Sequence, residues 1–297
     1  DSISVTTKQL QDSNYVDPPG GRWVQYTRPQ NCFEGKTSHD TKTAYMSNIT
    51  LVRYAIVGPV RPSIVDTLRV GDVARKACMS KYGKKNNNNV SATFSGKDGE
   101  GNPLSGHQHA FYLPTYETQN QEIDHLTIIA SKQFDKDELD ALFSLKRLFG
   151  YNTMDVRLVF QGCGTPDNFS NIPILQKSHV WASATPVVLS RHIKYRRKGS
   201  NTFQIDGPKE QIRNEIEKRY GTSYVLKKIT IKQDDQVNLY NTRHRPSDFF
   251  RWRKHGSIGD GKSYNIQLEF KEPVKGPITL GYSSHFGLGM FVPEEER

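Results

Sequence analysis

Cysteine is scarce in this chain: there are three among 297 residues, and no two are spaced as a metal-binding or redox pair. Cys32, Cys78 and Cys163 therefore predict reduced thiols in a cytoplasmic protein rather than a disulfide framework. Long apolar runs are also missing. No stretch approaches the roughly 18 apolar residues of a membrane span, so no membrane partner is expected. The chain begins at Asp1 with neither a methionine nor a signal-like segment, and we expect a fragment of a longer protein.

Clusters of metal ligands are few as well, and we predict neither a metal nor another cofactor. The histidines at positions 107 and 109 have no cysteine or carboxylate at ligand spacing beside them. The acidic runs at 234–235 and 294–296 indicate a turn and a solvated terminus rather than a two-metal nuclease site. Residues 256–263 fit the letters of a phosphate-binding P-loop, but a strand-like pattern follows where that motif needs a helix. We interpret this segment as a turn.

Positive charge, by contrast, is abundant and concentrated. The chain carries 41 Lys and Arg against 31 Asp and Glu, and residues 191–262 hold 18 and 8 of these. The remainder is therefore neutral, with 23 residues of each sign. A quarter of the chain that holds all of the excess charge is typical of a surface that binds a polyanion, with a solvated face as the alternative.

Two basic stretches within this region predict contacts with nucleic acid. Cations neutralise phosphates, and the aromatic rings of the second stretch can stack on unpaired bases. A solvated charged loop whose rings anchor it to the core is the alternative. The candidate residues are Arg191, Arg196, Arg197 and Lys198 in the first stretch, and Arg243, Arg245, Arg251, Arg253 and Lys254 in the second.

The spacing of apolar residues predicts an α+β protein with two tandem ferredoxin-like (RRM-like) domains and a C-terminal glycine-rich loop. The first half follows the order β-α-β-β-α-β, and the second half partly repeats it. We therefore expect an irregular lead-in at 1–47, an N-terminal domain at 48–165 and a C-terminal domain at 166–297. The predicted strands span 49–57, 109–113, 124–130, 155–160, 180–189, 224–232 and 264–270, with helices from Pro62, from Asp135 and over 210–220.

The C-terminal window 276–291 is rich in glycine, serine and histidine, and it follows the last alternating strand. Glycine allows a positive φ and a close approach to a ligand, and exposed backbone N–H groups suit phosphates. We therefore predict that this loop holds a nucleic-acid backbone. The residues expected to contact RNA are Ser283, Ser284, His285, Gly287 and Gly289.

Three further histidines are candidates for proton transfer. His107 and His109 are two residues apart, so both point to one face of an extended strand, and His125 begins a neighbouring predicted strand. Histidine titrates near neutrality and can take a proton from a ribose 2′-hydroxyl or deliver one to a leaving 5′-oxygen. This cluster predicts metal-free RNA cleavage, with structural histidines bonded to the backbone as the alternative.

Several segments together resemble the RAMP superfamily of CRISPR-associated proteins, specifically the repeat-RNA endoribonucleases. The similarity is greatest to the C-terminal processing half of the fused subunit of type I-U (I-G) systems. The residues that carry it are 95–98, 106–114, 123–127, Trp181 with Thr185 and Pro186, and above all 276–291.

This resemblance implies an enzyme that cleaves CRISPR precursor RNA within its repeat and needs no metal. The products would carry a 2′,3′-cyclic phosphate and a 5′-hydroxyl, and the guide RNA would stay bound with other subunits of an effector complex. A non-catalytic RNA-binding subunit is the first alternative. A 2H-type phosphoesterase is the second, because residues 125–127 form one His-x-Thr triplet, although positions 107–109 do not supply another.

Overall fold

The computed structural model describes residues 5–14, 48–58, 60–104, 106, 109–118, 122–149, 155–198, 201–232, 237–239, 242–244, 246–249 and 262–294. The chain divides into two units, Asp1–Ala44 and Tyr45–Arg297. In the first unit, helix α1 (Thr7–Asp12) begins at a capping box, in which the Thr6 hydroxyl and the Gln9 side chain bond each other's backbone N–H groups. This helix lies in a stretch predicted to be irregular.

The second unit begins with an antiparallel sheet covered by two helices. Its strands are β1 (Leu51–Val57), β2 (Phe111–Thr115), β3 (His125–Ile129), β4 (Arg147–Leu148) and β5 (Val156–Gly164), in the spatial order β2-β3-β1-β5-β4. Helix α2 (Thr67–Lys85) follows β1, the short helix α3 (Ala92–Ser95) precedes β2, and α4 (Lys136–Phe143) follows β3. Without α3 and the edge strand β4, this is the ferredoxin-like arrangement. We call β1 to β5 the N-terminal half.

Local sequence accounts for the helix α4. Asp135 caps it and Glu138 closes a capping box, as the acidic first turn predicts. Leu139 and Leu142 then lie buried on the sheet side, where Tyr54 of β1 also donates its hydroxyl hydrogen to the Leu142 carbonyl at 2.7 Å. The helix is therefore fixed both by its first turn and by its apolar side.

A second antiparallel sheet forms the C-terminal half, from β6 to β14. Its strands are β6 (Lys177–Ser183), β10 (Leu226–Lys232), β13 (Ser263–Lys275) and β14 (Phe291–Pro293), in the order β10-β13-β6-β14, with β7 (Val187–Val188) pairing β13. Helix α5 (Pro208–Tyr220) lies in the connection between β6 and β10, and it buries Ile212 and Ile216 against the sheet. The strand order again is ferredoxin-like, so the predicted α+β class with two such sheets is confirmed.

A loop takes the place of the second helix in the C-terminal half. Between β13 and β14, residues 276–290 contain a single 3₁₀ turn at Ser284–Phe286. We call these residues the glycine-rich loop. This exchange of a helix for a loop positions the candidate site.

Two apolar clusters join the halves. In one, Leu51, Leu113 and Ile129 of the first sheet contact a group that includes Leu175 and Met290. In the other, Leu68 of α2 contacts Leu288 of the glycine-rich loop. Burying such side chains stabilises the structure by about 1.5–3 kcal/mol each, so the loop shares its core with both halves.

Several predicted boundaries differ from the structure. The strand predicted at 180–189 ends at Ser183 and resumes at Val187, because Pro186 has no N–H to donate to the ladder. The strand predicted from His109 begins at Phe111, so His109 precedes it. In the P-loop lookalike, Ser263 begins strand β13 where a nucleotide-binding loop needs a helix, and residues 256–261 lie outside the described ones.

Short elements fill the remaining connections. Strands β8 (Tyr195–Lys198) and β9 (Asn201–Gln204) form a hairpin, as do β11 (Val237–Leu239) and β12 (Thr242–His244). Among the described residues, no helix is both long and apolar enough to cross a membrane.

Candidate nucleic-acid interface

The glycine-rich loop depends on glycine at positions where it turns sharply. Gly287 and Gly289 have φ values of +89° and +57°. A Cβ atom on Gly287 would lie 2.6 Å from the Thr67 methyl group, and one on Gly289 would collide with the Leu280 carbonyl. Both positions therefore need the conformational freedom and the small size of glycine.

The backbone N–H groups of the loop are largely bonded within the protein. The Gly289 N–H donates to the Pro186 carbonyl at 2.9 Å, the Tyr282 N–H to the Val188 carbonyl at 2.7 Å and the Gly287 N–H to Ser284. Gly287 and Gly289 are also buried. These two glycines thus shape the loop, and a contact between either of them and RNA stays a prediction.

Helix α5 holds the loop through one arginine and one glutamate. The Arg219 guanidinium donates to the Thr279 carbonyl at 2.7 Å and to the Ser284 hydroxyl at 2.9 Å. Glu215, one turn earlier, pairs with Arg219 at 2.5 Å and accepts the Gly281 N–H at 3.0 Å from each carboxylate oxygen. With 5% of the Arg219 side chain exposed, this is a nearly buried, charge-assisted network.

The N-terminal half holds the other side of the loop. The Phe286 ring is nearly parallel to the Tyr112 ring, with centroids 6.3 Å apart. The Arg75 guanidinium lies 5.9 Å from the centre of the Phe286 ring. From the C-terminal half, in the turn between β6 and β7, the Thr185 hydroxyl donates to the Gly287 carbonyl at 2.7 Å and accepts the Met290 N–H at 2.9 Å. The loop is consequently held by α5, by the N-terminal half and by the turn between β6 and β7.

Two of the predicted histidines meet at this point. The His285 ring lies between His109 and Phe111, with centroids 3.6 Å and 3.8 Å away and planes within 14° and 19° of parallel. His285 is 8% exposed, and its Nδ1–H donates to the Ala110 carbonyl at 3.3 Å. The packing of the glycine-rich loop thus brings two histidines from distant parts of the chain into one stack.

A cleft of about 340 Å³ opens between α5 and the glycine-rich loop. Four residues that were predicted to bind RNA from two separate stretches of sequence line this cleft: Arg191, Ser283, Ser284 and His285. The other residues around it are Ser190, Gln211, Asn214, Glu215, Lys218, Arg219, Gly281 and Tyr282. Hydroxyls and cations around an imidazole form a suitable site for a phosphodiester.

Lys218 and Arg219 were missed as site residues. Both lie within the basic region 191–262, in the last turn of the helix predicted over 210–220. Arg219 bonds the glycine-rich loop and Lys218 lines the cleft, and neither position is visible before the chain is folded.

The remaining predicted RNA-binding residues are not among those that line the cleft, or they lie outside the described residues. Arg196 and Arg197 are exposed on the β8–β9 hairpin, Lys198 ends β8, and Arg243 lies in β12. The RNA-binding candidates Arg245, Arg251, Arg253 and Lys254 lie outside the described residues, as does the catalytic candidate His107.

His125 belongs to a different part of the sheet. It pairs with Thr115 at the end of β2 that is distant from Phe111, which separates it from the His109 stack by about 13 Å of strand. Its Nδ1–H donates to Asp124 at 2.7 Å, and the Gln161 amide donates to its Nε2 at 3.2 Å. Both ring nitrogens thus already have protein partners, and a catalytic role for His125 stays a prediction.

The charges around His125 form a buried network. Arg53, 3% exposed, donates to Thr127 at 2.9 Å and pairs with Glu117 at 2.6 Å. Burial by itself would raise the pKa of Asp124, but hydrogen bonds from His125 and from the backbone and hydroxyl groups nearby lower it to about 2. The Asp124 carboxylate is therefore ionised and serves as a fixed acceptor.

Within the described part of the chain, no three His, Cys, Asp or Glu side chains come together in a way that could hold a metal ion.

Comparisons with known proteins return solved structures of distant similarity. A CRISPR-associated protein Cas6 is 12% identical, with a TM-score of 0.39 over 84% of this chain and all of the other. A RAMP protein described as binding different RNA substrates is 10% identical with a TM-score of 0.39, and a Cas6-related gene product from Pyrococcus furiosus 12% with 0.38, over the same shares. No protein-family model and no curated protein matches the chain. The description of the fold therefore rests on the strand order of this chain.

Proposed function

We propose that this protein is a metal-independent endoribonuclease that cleaves CRISPR precursor RNA within its repeat. The observation that carries the proposal is the stack of His109 and His285 at the edge of a cleft lined with hydroxyls and cations. The sequence resemblance of residues 276–291 to repeat-RNA endoribonucleases supplies the choice of substrate. The domains at 48–165 and 166–297, the cytoplasmic location and the partnership with guide RNA and effector subunits belong to the same proposal.

The chemistry requires a base, an acid and stabilisation of the phosphate. The ribose 2′-oxygen attacks the adjacent phosphorus, its proton passes to a base, and the bond to the leaving 5′-oxygen breaks as that oxygen takes a proton. His285 lines the cleft and acts as the acid, and the stack on His109 holds its ring in place. His107 remains the candidate base from sequence. Arg191 and Lys218 neutralise the phosphate as charge develops on its oxygens.

A non-catalytic RNA-binding subunit is the second candidate, and one observation favours it. His285 is only 8% exposed and is enclosed by two rings, which restricts its approach to a scissile phosphate. The 2H-type phosphoesterase has less support, because Thr127 of the His-x-Thr triplet already accepts a hydrogen bond from Arg53.

Cleavage of labelled repeat RNA in EDTA by the full chain tests the proposal. We expect cleavage with 2′,3′-cyclic phosphate ends, lost by a factor of about 10²–10⁴ in a His285→Phe variant. Phenylalanine preserves the ring stack while removing the titrating nitrogen, so folding should persist. His109→Ala and His107→Ala should also lose activity, and His179→Ala, a histidine that does not line the cleft, is the matched control.

The outcomes separate the two candidates. Loss of cleavage in EDTA, or unchanged rates in the His285→Phe and His109→Ala variants, would contradict the metal-free histidine mechanism. RNA binding without cleavage by the intact protein would favour the non-catalytic subunit.

A further inference from the structure

The β8–β9 hairpin is directly connected to the candidate cleft. At its base, the Ile205 N–H donates to the Lys194 carbonyl at 2.9 Å, and Arg191 pairs with Asp206 at 3.1 Å. Arg191 also lines the cleft. Tyr195 is four positions after Arg191, a span of at most about 14 Å. An RNA strand that leaves the cleft past Arg191 therefore reaches the hairpin.

Aromatic rings lie exposed on this hairpin. Tyr195 is 62% exposed and Phe203 is 52% exposed. Tyr195 is opposite Gln204 in the ladder, whereas Phe203 is opposite Arg196. Opposite residues share a face and successive residues alternate, so the two rings lie on different faces of the ribbon. Each ring also shares its face with an arginine, Phe203 with Arg196 and Tyr195 with Arg197.

The positive charge of the hairpin favours a polyanionic ligand. Residues 194–205 contain four Lys and Arg and no Asp or Glu. A polyanion is therefore attracted along the whole ribbon, and the rings add flat apolar surfaces beside the guanidinium groups. An apolar protein surface would leave those cations without partners, whereas a nucleic-acid strand offers phosphates and base faces at alternating positions.

We propose that the β8–β9 hairpin is a binding site for unpaired nucleotides of RNA, with bases stacked on Tyr195 and Phe203 and flanking phosphates held by Arg196 and Arg197. This inference rests on the proposed RNA-binding function and adds a site outside the cleft. Unpaired nucleotides are the ligand because a duplex hides its base faces, and the deep major groove of A-form RNA does not admit side chains to its base edges.

The test measures binding of a fluorescein-labelled, non-self-complementary RNA to the full chain, and of the blunt duplex that it forms with its complement. Tyr195→Ala and Phe203→Ala each remove one ring on which a base stacks, and each should weaken binding of the single strand about 5- to 100-fold. Phe203→Tyr should bind as the parent does, whereas Phe203→Leu should not, because stacking needs a π-face. Duplex binding should change less than twofold in all of these variants.

Phe149→Ala is the matched control, since Phe149 is a 75% exposed ring on the other half of the molecule. It should leave both affinities unchanged, and thermal unfolding should confirm that every variant is folded. Equal affinity of parent, Tyr195→Ala and Phe203→Ala proteins for the single strand would overturn the hairpin site while leaving RNA binding intact. Equal loss of duplex and single-strand affinity would overturn the preference for unpaired nucleotides. A parent protein that binds neither RNA would instead refute the proposed function, and the hairpin site with it.

Discussion

Replacing Arg219 with alanine tests whether α5 fixes the glycine-rich loop. The substitution removes the donors to the Thr279 carbonyl and the Ser284 hydroxyl, and it leaves the Glu215 carboxylate, 19% exposed, without its cation. Breaking a buried ion pair by removing one partner costs about 3–5 kcal/mol. Glu215 keeps its bond from Gly281, so the lower end of that range, about 3 kcal/mol, is expected.

The consequence should be a folded but weakened protein. A domain with 5–15 kcal/mol of stability tolerates this loss, and the midpoint of thermal unfolding should fall by about 6–12 °C. Chemical denaturation measures the free energy directly. Arg213→Ala is the control, because Arg213 is an exposed arginine on the same helix and its removal should cost less than about 0.5 kcal/mol.

Two further variants identify the physical cause. Arg219→Lys keeps the charge but cannot supply the planar fork that reaches both acceptors, so it should recover only part of the loss. Removing Glu215 as well should restore much of the stability if the unpaired carboxylate causes the penalty. A cost below about 0.5 kcal/mol for Arg219→Ala, or a double variant as unstable as the sum of the single ones, would refute the reasoning.

Three other perturbations follow from the same structure. Asp124→Asn should cost about 1–2 kcal/mol at neutral pH, after allowance for solvent screening. The folded-state pKa of Asp124 is lowered to about 2, so this stability is present above its ordinary pKa and is lost as the pH falls from about 4 towards 2. If the parent and the Asp124→Asn protein still differed in unfolding free energy in acid, the role assigned to the carboxylate would be contradicted. Gly289→Ala should destabilise the protein by more than 1 kcal/mol in urea unfolding, roughly the cost of a strained backbone, whereas Gly99→Ala, with open space around it, should not. Lys218→Gln should reduce the slope of RNA affinity against salt concentration by about one, and an unchanged slope would place Lys218 away from the phosphates.

Much of the fold could be predicted from local patterns. Asp135 and Glu138 predict the start of α4, and alternation over Ile266, Leu268 and Phe270 predicts β13, because caps and periodicity operate within a few residues. The β-α-β-β-α-β order then follows from the succession of elements. The irregular features, such as the break at Pro186, shift boundaries without changing the order.

The candidate site could be predicted only in its parts. Residues 276–291 were expected to expose backbone N–H groups to a phosphate, yet those of Gly281, Tyr282 and Gly289 are bonded within the protein. A loop that replaces a helix must find outside partners for the backbone groups that a helix would bond internally. Here α5, β7 and the Pro186 turn supply them, and no local window shows such partners.

The contacts of the histidines likewise could not be predicted from local sequence. His285 bonds the Ala110 carbonyl from 175 residues away, so its stacking on His109 depends on how the glycine-rich loop enters the N-terminal half. His125 is nearer to His109 in sequence, but β2 separates the two. The packing of the loop therefore brings His285, rather than His125, against the His109 ring. His285 and Phe286 belong to one 3₁₀ turn. Any substitution that displaces Phe286 from Tyr112 should therefore displace His285 as well.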